Sequence, residues 1–168
     1  MMGENMMTIK RLLGVLTLGL ALMTLAACGQ KSTESIIKNE LKDSYTGYSE
    51  NKSYEGLNFI EGSDTLVFNK KNNTITNSNG EVTYFSVISD DNVPSDVKAF
   101  LKKYDDELSK TDNFTIVIDT REKHPTLETG ESLYQIALSD NGKKIRIFEL
   151  RQDYDADGNF YDFTGTAN

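Results

Sequence analysis

Helix-patterned stretches interleaved with runs of short strands predict an α+β fold: an antiparallel sheet with one or two packed helices, or, in the more elaborate version, a tandem helix-plus-strands repeat. Three observations carry this. Val97, Phe100, Leu101, Tyr104 and Leu108 recur at helical spacing behind Pro94, the apolar stripe of an amphipathic helix from Pro94 to Ser109. Short β-branched and aromatic runs are punctuated by Asn79-Gly80 and Asp140-Asn141-Gly142, which are turn signals between antiparallel strands. Cysteine occurs once, so no internal disulfide is available and the fold must rest on a hydrophobic core.

The elements follow in order. Glu34 to Tyr45 places Ile37, Leu41 and Tyr45 four apart, with Ser32, Thr33 or Ser35 available as the cap, and predicts a helix followed by a loose segment from Thr46 to Gly56. Strands are expected at Leu57 to Ile60, Thr65 to Asn69, Asn73 to Asn77 and Val82 to Ile88, with Asn79-Gly80 as a type I′ hairpin because both residues tolerate positive φ. After the amphipathic helix come strands at Phe114 to Thr120, Leu133 to Ser139, Lys144 to Leu150 and Asn159 to Phe163.

The N-terminal stretch has the layout of an export signal: Lys10 and Arg11, an apolar run from Leu12 to Leu25, then small residues. From Leu12 to Ala27 it is about 16 residues, short of the roughly 20 that span a bilayer as a helix, which makes a permanent transmembrane anchor the lesser reading. The run closes on Leu25-Ala26-Ala27-Cys28-Gly29. That string resembles the lipobox of bacterial prolipoproteins, in which the cysteine receives diacylglycerol and the chain is cut before it. The resemblance implies that Leu25, Ala26 and Ala27 are read by the signal peptidase and that Cys28 is the acylated mature N-terminus. Small side chains at Ala26 and Ala27 let a peptidase approach the backbone, and a thiol is a suitable nucleophile for the lipid. Glu4 is out of place in a positive leader, so Met1, Met6 and Met7 are all candidate first residues.

The expected organisation is therefore a signal peptide over residues 1–27, a lipidated tether over 28–33, and an extracytoplasmic domain over 34–168, with 34–88 and 94–163 as the halves of any repeat. Of the formal charge of −8, the leader's Glu4, Lys10 and Arg11 supply +1, leaving −9 on the mature part. A domain this acidic repels nucleic-acid phosphates and anionic headgroups, so nucleic acid is excluded as a partner and the lipid must make the membrane attachment.

The second half, from Val93-Pro94-Ser95-Asp96-Val97 through Tyr134-Gln135-Ile136-Ala137-Leu138 to Asp157-Gly158-Asn159, resembles the PepSY-like and beta-lactamase-inhibitor-protein-like small domains over about 70 residues. The resemblance implies one helix on an antiparallel sheet, sometimes in tandem, and the stretch Arg121 to Gly130 departs from it as an insertion.

Residues that might carry chemistry are few. Asp153, Asp155 and Asp157 before Gly158 match the opening of a calcium loop, but the twelfth position is Thr164 where a bidentate Glu is needed, so calcium competes with a plain hairpin turn. His124, the single histidine, sits among Arg121, Glu122 and Lys123 and reads as a solvated loop residue. Asp105, Asp106 and Glu107 read as a solvated helix face. Tyr48, Tyr54 and Tyr161, in polar surroundings, are the interface candidates among many aromatic residues expected in the core. No Gly-rich phosphate loop, nucleophile elbow or metalloprotease motif occurs. The expected function is that of a non-enzymatic, membrane-anchored lipoprotein that binds an extracytoplasmic protein or peptide on an exposed sheet face. A calcium-responsive module and a precursor of a short peptide cut from Leu20 to Ala27 are the alternatives.

Overall fold

The computed structural model describes residues 31–49, 58–151 and 161–168. Cys28, Leu25, Ala26, Ala27, Tyr54 and the acidic turn Asp153, Asp155 and Asp157 lie outside the described residues. The expected α+β arrangement, single or tandem, does not form. Eight antiparallel strands close into one barrel in sequence order: β1 (Ser44–Ser49), β2 (Gly62–Asn69), β3 (Thr74–Thr76), β4 (Val82–Ile88), β5 (Asp112–Asp119), β6 (Ser132–Ser139), β7 (Lys144–Glu149) and β8 (Asp162–Ala167). Closure comes from β1, which pairs with β8 (Tyr45↔Ala167, Gly47↔Gly165, Ser49↔Phe163) as well as with β2. The two halves that a repeat would separate meet at both β1·β8 and β4·β5, so they share one wall and one core.

Inward positions alternate with outward ones along each strand, as the pleat demands. Tyr45, Leu66, Phe68, Ile75, Phe85, Phe114, Ile116, Ile118, Tyr134, Ile136, Leu138, Ile145, Ile147 and Phe163 fill the interior with buried side chains. The closing seam needs its two glycines. A Cβ on Gly47 would lie 2.1 Å from the Thr164 carbonyl oxygen and 2.6 Å from the Phe163 ring, and one on Gly165 would lie 2.8 Å from that ring. The paired glycines thus leave the space that Phe163 occupies.

In an up-and-down barrel, alternate connections emerge at opposite ends. One end, which carries the β2–β3, β4–β5 and β6–β7 connections, is plugged by α1 (Thr33–Asn39), which buries Ile36. Ser32 caps this helix, its hydroxyl accepting from the Ser35 amide at 3.3 Å. The helix stops well short of the expected Tyr45. Leu41 folds under the barrel and Tyr45 enters β1, its hydroxyl donating to the Gly142 carbonyl at 2.8 Å. Gly142 sits at φ 74° against the backbone of Glu40, where a Cβ would come within 1.8 Å of the Glu40 oxygen.

The amphipathic segment 94–109 is helical in two pieces, α2 (Ser95–Leu101) and α3 (Asp105–Leu108), joined by a 3-10 turn over Lys102–Tyr104. At the break Tyr104 takes φ −109°, ψ 8°. The acidic run Asp105-Asp106-Glu107 then opens a new helical turn, where the helix dipole favours negative charge. Val93, Val97 and Phe100 pack outside the barrel on Phe148 and Leu150, forming a second core. Two smaller expectations also change. Asn58 to Ile60 is not a strand. In the β3–β4 turn only Gly80 has positive φ, and the Asn77 side chain makes the turn by accepting from the Asn79 and Glu81 amides, so it is not type I′.

Candidate functional site: the loop end and outer face of the barrel

The end opposite α1 is built differently. Along seven strands the inward alternation passes from apolar to polar: Ser49, Asp64, Asn77, Thr83, Ser132, Glu149 and Tyr161 each stand an even number of residues beyond a core side chain of the same run. All but Ser132 are buried. The Asp64 Oδ1 accepts the amides of Thr65 at 2.7 Å and Ser78 at 2.9 Å, while its Oδ2 and the Ser49 hydroxyl are buried with no hydrogen-bond partner among the described residues. Ser132 donates to Glu149 Oε1 at 3.2 Å. Across this layer runs a strap. The Asn58 carbonyl accepts from Asn77 Nδ2 at 2.6 Å, the Asn58 side-chain Nδ2 donates to the Val82 carbonyl, and Phe59 stacks on Tyr161 at 4.9 Å and meets Tyr134 edge-on at 5.2 Å. Tyr161, expected at an interface, is fully buried because it occupies an inward position two residues before Phe163.

Beside this layer, a cleft of about 510 Å³ opens between the β5–β6 connection and the β6–β7 wall, lined by Leu127, Glu131, Ser132, Glu149 and Arg151 among others. The connection is pinned by Asp119, whose Oδ1 accepts the Arg121 amide at 2.6 Å and the Glu122 amide at 2.7 Å. Those amides, Glu122 first, hold the Asp119 carboxyl below the usual carboxylate range. His124 is exposed on the same connection.

A second concavity of about 530 Å³ lies on the outer face of β1, β8, β7 and β6. Its floor is made of small side chains, Thr46, Ala137, Ser139, Thr164 and Thr166, and its borders include Tyr48, Glu107, Lys144 and Arg146. Tyr48 is 51% exposed. Arg146 is a structural cation. Its guanidinium donates to both Asp162 oxygens, at 2.9 and 2.6 Å, and to Glu107, and it lies 4.7 Å over the Phe148 ring. Asp162 above all holds Arg146 protonated far beyond any accessible pH. Glu107 is therefore tied to the barrel, while Asp105 and Asp106 remain on the solvated face.

Among the described residues, no group of three or more His, Cys, Asp or Glu is placed to hold a metal ion, and no helix is long and apolar enough to cross a membrane. No family model, curated protein or solved structure matches this chain. Sequence reasoning singled out Tyr48 but missed the inward polar layer, because Asp64, Asn77 and Ser132 look like strand ends and turn residues when each is read alone.

Proposed function

We propose that the chain is a membrane lipoprotein, acylated at Cys28, whose barrel is a non-enzymatic binding domain on the extracytoplasmic face and receives a segment of another protein along the outer face of β1, β8, β7 and β6. The observation that carries this is the exposed Tyr48 ring beside a trough of about 530 Å³ floored by threonine, serine and alanine. Small floor side chains let an extended segment lie close to the sheet, and a tyrosine offers both a broad apolar contact and a hydroxyl. The exposed Lys144 gives the trough a cationic border in an otherwise acidic domain, which suits a partner segment carrying carboxylates. The anchor rests on the lipobox resemblance, with acyl chains contributing about 0.8 kcal/mol per buried CH₂.

Two measurements test the reading. Cys28→Ala should abolish incorporation of labelled palmitate and release the protein from membrane fractions; labelling that persists in the variant removes the anchor. A photo-crosslinking residue at position 48 in intact cells should give a discrete protein adduct, while the same residue at exposed Val87, on the far side of the barrel, should not. No adduct at 48, or equal adducts at both positions, removes the docking face.

A further inference from the structure

The inward polar layer at the loop end is independent of the outer trough, and it has a property that a purely structural layer lacks. Asp64 is 3% exposed and Ser49 is 0% exposed, and each presents an oxygen into the barrel with no partner among the described residues: Oδ2 of the carboxylate and the hydroxyl of the serine. A buried polar atom left unsatisfied costs about 1–3 kcal/mol. Two such oxygens on adjacent strands call for a hydrogen-bond donor that the described residues do not supply. The register puts them together: β1 and β2 pair Gly47 with Asp64 and Ser49 with Gly62, so Ser49 and Asp64 are diagonal neighbours on the inward face.

The chemistry of the surroundings narrows the donor. Asp64 Oδ1 is already committed to two backbone amides, which fixes the carboxylate plane and leaves Oδ2 as an acceptor site. Glu149, opposite the inward Tyr134, brings a second buried carboxylate to the same layer, and Tyr161, an inward residue of that layer, stacks on Phe59. Carboxylate, hydroxyl and aromatic faces together suit an organic ammonium, which has three donors, no acceptor and a positive charge that aromatic faces attract. The net charge of −9 on the mature chain raises the local concentration of cations around the mouth. We propose that the loop end of the barrel binds a small primary amine, its ammonium seated on Asp64 and Ser49 beneath the Asn58–Phe59 strap. Entry requires the strap to lift: the Asn58 side-chain amide donates to the Val82 carbonyl, the Asn58 carbonyl accepts from Asn77, and Phe59, 2% exposed, packs on Tyr134 and Tyr161.

The test is calorimetric titration and thermal melting of the full-length lipoprotein in non-ionic detergent, with butylammonium chloride as probe and 1-butanol and calcium chloride as controls. Butylammonium should give saturable heat and raise the melting temperature, and 1-butanol should do neither. Asp64→Asn keeps the Oδ1 acceptor for Thr65 and Ser78 but removes the charge, so binding should weaken at least about tenfold. Should that variant fail to fold, Ser49→Ala, which removes an unpartnered hydroxyl, decides: the proposal expects several-fold weaker binding with the fold retained. Absence of heat with butylammonium in the wild type overturns the proposal and leaves ordered water as the filler. Equal binding by the wild type and the folded variant overturns it too. So does a response to calcium with none to butylammonium, which would make the layer a metal site.

Discussion

A single carboxylate can hold a whole connection in place. Asp119 ends β5 with its Oδ1 accepting two successive amides, those of Arg121 and Glu122, and that arrangement stabilises its charged form. A carboxyl whose pKa is lower in the folded chain than in the unfolded one contributes stability above the unfolded pKa, and the contribution is lost as pH falls through the ordinary carboxylate range to the depressed folded value. Acid titration of stability should therefore be steeper in the wild type than in Asp119→Asn, which keeps an acceptor for the two amides but has no charge to lose. Urea midpoints measured at neutral pH and at mildly acidic pH check this, and parallel slopes for the two proteins would refute it. Individual residues of this kind were only partly legible beforehand. Ser32 was foreseen as one of three caps because capping chemistry is local. Asp119 was not, because an aspartate before Thr-Arg-Glu reads only as the polar end of a strand. The polar layer was hidden for a related reason, since seven inward residues at or next to the ends of seven strands become one feature only after the barrel closes.

At the level of elements, the sequence was informative wherever β-branched and aromatic residues are concentrated. β4 was expected at Val82 to Ile88 and lies there, and β5, β6 and β7 fall within a residue or two of their expected spans. β1 reads in the sequence as the end of a helix and then a loose segment because its inward residues are Tyr45, Gly47 and Ser49, of which one is apolar, so period-two alternation carries almost no hydrophobic signal. The amphipathic segment 94–109 was seen, but its break was not: the 3-10 turn exists because Tyr104 lies against Phe148, 4.8 Å away, and because Glu107 reaches Arg146, both of them tertiary contacts. The second core makes a quantitative claim about α2. Phe100 is 6% exposed among Val93, Val97, Phe148 and Leu150, so Phe100→Ala should cost roughly 3–5 kcal/mol through lost burial and the cavity left behind. A urea denaturation series gives the number directly. A loss below about 1 kcal/mol would mean that this helix rests on the barrel without a packed interface.

The difference between the expected open sheet and the closed barrel matters most for the molecule as a whole, because an open sheet has two edges and a closed one has none. The structure spends two glycines on that difference. Gly47 and Gly165 face each other across the β1–β8 seam, and Phe163 fills the space their missing side chains leave. A branched side chain at position 47 would bring its Cβ to 2.1 Å from the Thr164 carbonyl oxygen and 2.6 Å from the Phe163 ring, far inside van der Waals contact, and neither can move without shifting β8. Gly47→Val should therefore destabilise the fold by at least about 1–3 kcal/mol, the usual cost of overpacking, although valine is by itself a better strand residue than glycine. The consequence should also be visible at long range. With the seam strained, β1 and β8 become free edges, each with a row of unpaired backbone groups, and the protein should self-associate as its concentration rises. Light scattering across a concentration series separates this from simple unfolding, and urea denaturation gives the loss of stability. In the open α+β arrangement, position 47 would lie in a loose segment between a helix and a strand, where valine would be neutral on both measurements. A Gly47→Val protein that stays monomeric with an unchanged midpoint would therefore count against closure through β1 and β8.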